Sequence, residues 1–98
     1  MKIEKNMNGE TMEVALDGRL DTTTAPELEK ELRDSLKNIK ELIFDFAGLE
    51  YVSSAGLRVL LIAQRSMGYG GKMIVRNANE LIREVFEVTG FSDIVTVE

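Results

Sequence analysis

Hydrophobic positions change their period several times along the chain, and each change marks an element. Over residues 11–16, Met12, Val14 and Leu16 alternate with Thr11, Glu13 and Ala15, the pattern of a half-buried strand. Residues 2–5 hold only Ile3 as a strongly apolar side chain, which predicts an exposed edge strand. Asn8-Gly9 between the two predicts a tight hairpin with a type I′ turn. A polar connection over residues 17–24 follows. Leu28, Leu32 and Leu36 then recur every four residues, with Glu27, Glu29, Lys30, Glu31, Arg33 and Asp34 outside, which predicts an amphipathic helix running to about Lys37. Pro26 suits its first turn, and Thr24 with Glu27 has the spacing of a capping box.

The chain is organised around residues 42–61. Residues 42–46, Leu-Ile-Phe-Asp-Phe, predict a strand buried on both faces. From Leu57 onward, Leu57, Leu60, Leu61 and Met67 keep helical spacing. Val59, Ile62 and Ala63 widen the stripe until little polar face remains, so this helix is expected in the interior. Gly68, Gly70 and Gly71 supply its cap and loop, with Tyr69 exposed among them. Residues 72–76 predict a strand, and Asn77-Ala78-Asn79 a cap for a helix with Leu81, Ile82, Val85 and Phe86 on one face. Gly90 stops it, Phe91 tucks back, and residues 94–97 form a last strand. The order β-β-α-β-α-β-α-β predicts an α/β fold: a mixed, mostly parallel sheet of about five strands, with the first antiparallel at an edge. The loops holding Asp21, Ser54 and Asn77 should then open on one rim, where such sheets carry their sites.

Composition narrows the chemistry. Ninety-eight residues, 44% hydrophobic and 30% charged, predict a single domain over residues 1–98 that buries roughly two-thirds of its unfolded surface. Without cysteine or histidine there is no Ser-His-Asp or Cys-His machinery and no ordinary zinc site, and nothing calls for a cofactor. The net charge of −5 disfavours nucleic acid and anionic lipid and favours protein partners. No apolar run reaches about 18 residues and the N-terminus has no apolar signal region, so no membrane insertion and a cytoplasmic location are expected. Phosphate-binding loops of the Gly-x-x-x-x-Gly-Lys-Ser/Thr or Gly-x-Gly-x-x-Gly kind are absent, which argues against a nucleotide enzyme.

Ser53 and Ser54 stand between the central strand and its helix. A serine there is the preferred N-cap. It is also a candidate phosphoacceptor, because a helix N-terminus carries partial positive charge and free N–H groups that favour a phosphate on Ser54. Ala55 and Gly56 permit a close backbone approach, although Gly within a helix is about 1 kcal/mol worse than Ala. Arg58, one turn after Ser54, fits either a partner for a phosphate or carboxylate or the solvated edge of a helix. Asp17 and Asp21 fit turn or cap roles as well as functional ones, and Met67 and Tyr69 fit packing and loop roles as well as a partner surface.

An ordered set of segments carries a resemblance: Gly18-Arg19-Leu20-Asp21 with Thr22-Thr23-Thr24-Ala25; Phe44-Asp45-Phe46-Ala47-Gly48-Leu49; Val52-Ser53-Ser54-Ala55-Gly56-Leu57; and Thr89-Gly90-Phe91. The set is similar to stand-alone STAS domains of the bacterial anti-sigma factor antagonist type. The resemblance implies a partner switch rather than an enzyme. The serine at position 54 would be phosphorylated by an anti-sigma factor with serine-kinase activity, bound while unmodified and released once modified, and a metal-dependent serine phosphatase would reverse the change. Asp21 matches the acidic residue beside that serine, and the surface expected to meet the partner comprises Asp21, Thr22, Thr23, Ser53, Ser54, Ala55, Gly56 and Arg58. The family often has Asp where this chain has Ser53 and Ser where it has Ala55, which makes Ser53 a second candidate acceptor. A competing reading keeps the fold and makes the domain a constitutive scaffold for a transporter or signalling complex, with Ser54 never modified.

Overall fold

A computed structural model describes residues 1–67 and 70–98. β1 (Lys2–Asn8) and β2 (Thr11–Leu20) form the antiparallel hairpin, followed by α1 (Ala25–Arg33), β3 (Glu41–Val52), α2 (Ser54–Ser66), β4 (Lys72–Arg76), α3 (Glu80–Thr89) and β5 (Thr96–Val97). The sheet order is β1-β2-β3-β4-β5, and every pair after the hairpin is parallel, as the element order predicts. Met12, Val14 and Leu16 of β2, Leu42, Phe44 and Phe46 of β3, and Met73 and Val75 of β4 share one core with Leu28 and Leu32 of α1, Val59, Leu60 and Ala63 of α2, and Ile82 and Phe86 of α3. The described helices therefore cover one sheet face. On the other face Ile43 and Ile74 are buried as a cross-strand pair, with ion pairs from Arg76 to Glu98 at 3.0 Å and to Glu13 at 4.0 Å.

The largest departure from the expected elements is at β3, which does not end at Phe46. Its core-facing residues run 42, 44, 46, then 49, then 52. The two intervals of three coincide with register shifts against β2, where Asp45↔Ala15 is followed by Gly48↔Asp17 and Leu49↔Gly18 by Tyr51↔Arg19. Each shift is a bulge, an extra residue on β3 that breaks the alternation yet keeps apolar side chains inward. β2 likewise continues through Leu20 where a loop is expected, so the two strands project together well past β4, which ends at Arg76 opposite Asp45.

Other corrections are local. Asn8 pairs with Thr11, leaving Gly9-Glu10 as the turn; Gly9 alone has positive φ (+65°), the pattern of a type II′ rather than a type I′ turn. α1 ends at Arg33, and Leu36 reaches the core from a short 3-10 turn (Leu36–Asn38). Helix α2 is not interior: Ser54, Arg58 and Arg65 are exposed and Ile62 is 38% exposed, so it lies across the sheet with one side in water. Gly90 (φ +78°) ends α3 as expected, and Phe91 packs on Phe86 with ring centroids 5.0 Å apart. The expectations for Gly68 and Tyr69 lie outside the described residues.

Candidate functional site

The tip of the β2–β3 projection and the start of α2 bring most of the candidate residues together. Ser53 has extended backbone (φ −87°, ψ 174°) and is the N-cap: its Oγ accepts from the Gly56 N–H at 3.2 Å and its carbonyl from Leu57 N–H at 2.9 Å. Its own N–H donates to the Leu20 carbonyl at 2.8 Å, extending the β2–β3 ladder. Ser54 is the first residue inside the helix, exposed, and its hydroxyl has no hydrogen-bond partner among the described residues. The two serines thus divide the roles that the sequence leaves open, with one closing the helix end and the other facing solvent beside it.

Gly56 explains how the helix comes so near the sheet. A Cβ at this position would lie 2.7 Å from Leu20 Cγ and 2.9 Å from the Leu20 carbonyl oxygen, closer than atoms tolerate. Gly56 is buried, so it offers a partner no surface; its part in the expected partner-binding set is structural, and Ala55 is half-buried against the core. Replacing Gly56 by Val should cost about 1–3 kcal/mol by overpacking. At roughly 4–8 °C per kcal/mol for a domain of this size, thermal unfolding should register a clear fall in Tm. An unchanged Tm would mean that α2 lifts off Leu20 without cost.

Asp21 follows Leu20 directly. Its Oδ1 accepts from the Thr23 hydroxyl at 2.7 Å, the Thr23 N–H at 3.0 Å and the Thr24 N–H at 3.1 Å. Thr24 does not form the expected capping box. Its hydroxyl instead accepts from the Asp21 N–H at 2.8 Å and donates to the Arg19 carbonyl at 2.7 Å, locking the turn before α1. Asp21 is therefore the organiser of its own loop, with Thr22 and Thr23 exposed around it. Arg19 lies over the Tyr51 ring at 4.7 Å and 4.0 Å from Asp21 Oδ2. This pair was not among the expected site residues, because only the bulged register sets Arg19 opposite Tyr51. Arg58 is exposed one turn after Ser54 and has no ion pair among the described residues.

The third expected member is elsewhere. Asn77 follows β4, whose last residue pairs with Asp45, seven residues before Val52. At about 3.3 Å per residue, some 20 Å of strand separates that level from the start of α2. Asn77, with a left-handed φ of 61°, donates through Nδ2 to Asp45 Oδ1 at 3.0 Å. Asn79 is the cap of α3, accepting from the Ile82 N–H at 2.9 Å and donating to the carbonyls of Leu49 and Glu50 at 3.3 and 3.2 Å, which ties α3 to the projecting strand.

Both hydrogen-bonded aspartates favour their charged forms. The Thr23 hydroxyl and then the Thr24 amide hold the Asp21 carboxyl below its ordinary value of 3.8, and the Asn77 amide and then the Ala47 N–H do the same for Asp45. A carboxyl whose folded pKa is depressed contributes stability above its unfolded value and loses it as pH falls through the folded one. NMR signals of Thr23, Thr24 and Ala47 amides should hold steady from pH 7 to about 4 and move only below the unfolded aspartate value. Carboxyl midpoints at or above that value would contradict these bonds.

A family model described as STAS domain matches residues 2–98. The chain belongs to the STAS domain family. Its relatives place this STAS domain among the anti-sigma factor antagonists. It is 37% identical over 84 residues to BtrV of Bordetella bronchiseptica, a protein assigned to the anti-sigma factor antagonists, covering 84% of this chain and 72% of that protein. It is 25% identical to the anti-sigma-B factor antagonist of Staphylococcus aureus, covering 99% of this chain and 92% of that one. Among solved structures the STAS fold is shared with the Bacillus cell fate determinant SpoIIAA. The phosphorylated form of SpoIIAA gives a TM-score of 0.79 at 21% identity, covering 99% of this chain and 91% of that one. The unphosphorylated form gives 0.76 at 22%, covering 88% and 82%.

Proposed function

We propose that this STAS domain is an anti-sigma factor antagonist switched by phosphorylation of Ser54. It binds an anti-sigma factor with serine-kinase activity while Ser54 is unmodified, and releases it when Ser54 carries phosphate; a metal-dependent serine phosphatase restores the binding form. The observation that carries the reading is the division of labour at the start of α2, where Ser53 satisfies the helix end and the Ser54 hydroxyl stands exposed and unbonded among the described residues. A kinase reaches a hydroxyl of that kind without dismantling a cap. Ser53, whose oxygen is engaged, is the weaker acceptor.

Magnitudes support release by repulsion rather than refolding. A phosphate brings about −1.5 to −2 charges at neutral pH. A helix N-terminus stabilises an anion by roughly 0.3–1 kcal/mol, or about 2 when partly buried, whereas moving a two-state balance from 1:99 to 99:1 takes about 5.5 kcal/mol. Like charges forced together across an interface cost several kcal/mol. The likeness of the fold to both the phosphorylated and unphosphorylated forms of SpoIIAA is in keeping with a modification that leaves the domain's architecture alone. No helix among the described residues is long and apolar enough to cross a membrane, and a cytoplasmic switch is the setting this reading requires.

The reading is tested by incubating the protein with ATP and the candidate anti-sigma serine kinases of its host, then mapping the modified residue. One phosphate on Ser54, retained in Ser53→Ala and lost in Ser54→Ala, is expected. Phosphate on Ser53, or none with any such kinase while the unmodified domain stays in a stable complex, would overturn the switch in favour of a constitutive scaffold.

A further inference from the structure

Helix α3 buries Ile82 and Phe86 in the core but leaves Leu81 and Val88 exposed by 52% and 77%. Single exposed apolar side chains are ordinary on a protein surface. Leu81, half-buried Val85 and Val88, however, are spaced i, i+4, i+7 and form one stripe. At about 100° per residue the stripe lies some 110° around the helix from the core-facing residues, so it is an apolar surface additional to the one the fold uses.

The border of the stripe is charged on one side. Glu80, Glu84 and Glu87 are all exposed on the flank away from the core and form no ion pair among the described residues. The helix's cation, Arg83, is turned from them: its Nε donates to the Ala78 carbonyl at 3.2 Å and its Nη2 to the Glu98 carbonyl at 2.9 Å. An apolar ridge along one acidic flank calls for an occupant with an apolar face bordered by lysine or arginine. A second copy fits poorly, since pairing α3 with itself sets Glu84 and Glu87 against their own kind in a chain of net charge −5. Anionic lipid is repelled for the same reason.

We propose that the Leu81–Val85–Val88 ridge is a docking surface for a basic amphipathic helical segment of another protein. The surface is on a different helix from Ser54, and the proposal does not rest on that serine's modification: Ser54→Ala should dock the segment unchanged.

The test titrates the isotope-labelled full chain with a short amphipathic peptide of leucines and lysines, with a leucine–glutamate peptide of the same pattern as control. Saturable amide shifts confined to α3 are expected with the lysine peptide and none with the glutamate peptide. Glu84→Lys with Glu87→Lys should weaken binding at least tenfold, and Val88→Ser about fivefold with the spectrum of the folded domain retained. Each of the following would overturn the proposal: no shifts, shifts centred elsewhere, equal binding of the acidic peptide, insensitivity to the charge reversal, concentration-dependent dimerisation through α3, or binding to anionic vesicles.

Discussion

Ser54→Asp weakens binding of the cognate anti-sigma factor about a hundredfold, while its backbone amide spectrum differs from the parent only around the start of α2. The magnitude follows from charge and place. An exposed side chain at the first helical position, brought against a partner, forces a carboxylate into contact where a hydroxyl sat; a cost of two to three kcal/mol is about two powers of ten in affinity. Stability should hold or rise slightly, because a carboxylate in a first helical turn is favourable by roughly 0.3–1 kcal/mol. Ser54→Ala removes only an unbonded hydroxyl and should bind within a few-fold of the parent. Isothermal titration of the three proteins separates these outcomes, and equal affinities would place the contact surface away from α2.

Phe86→Ala is expected to lower stability by about 3–5 kcal/mol, much of the 5–15 kcal/mol typical of a domain. Phe86 is fully buried in a run of rings, 6.3 Å from Phe46 and 5.0 Å from Phe91, with Phe44 a further 5.7 Å beyond Phe46. It is the anchor of α3, and α3 in turn holds Asn79 on the carbonyls of Leu49 and Glu50, just before the Ser53 cap. Tm should fall by at least about 12 °C, and hydrogen exchange should quicken first at those carbonyls' strand. A loss below about 1 kcal/mol would mean that the core does not depend on this ring.

Much of this architecture was legible in the sequence because periodicity encodes it. The alternation of Met12, Val14 and Leu16 marks the strand where it stands, and Leu28 and Leu32 mark the buried face of α1, although Leu36, next in that spacing, reaches the same core from a 3-10 turn beyond the helix. At β3, Thr24 and Asn77 the structure departs from the expected one because long-range pairing overrides a local motif. Bulges in β3 erase the period of two after Phe46, so the strand's final stretch resembles a loop until β2 is laid beside it. Thr24 and Glu27 have the spacing of a capping box, but the Asp21 amide and the Arg19 carbonyl compete successfully for the threonine hydroxyl. Topology alone puts Asn77 on the rim with Ser54, because it orders the loops but does not reveal that β3 outruns β4.

At the site, the adjacency of the Asp21 loop and the serines followed from parallel strand order, and Ser54 was the favoured acceptor. What composition and spacing left open was which serine caps the helix; only the Leu20 carbonyl beneath Ser53 and Gly56 fixes the phase of α2.

The most direct test installs phosphoserine at position 54, and separately at position 53, and measures both amide spectra and anti-sigma factor affinity. Phosphoserine at 54 should leave core signals in place and abolish binding more fully than Ser54→Asp, whereas phosphoserine at 53 should disturb the amides of Gly56 and Leu57 by displacing the cap. Undiminished affinity of the protein phosphorylated at 54, or shifts spread through the core, would contradict the account.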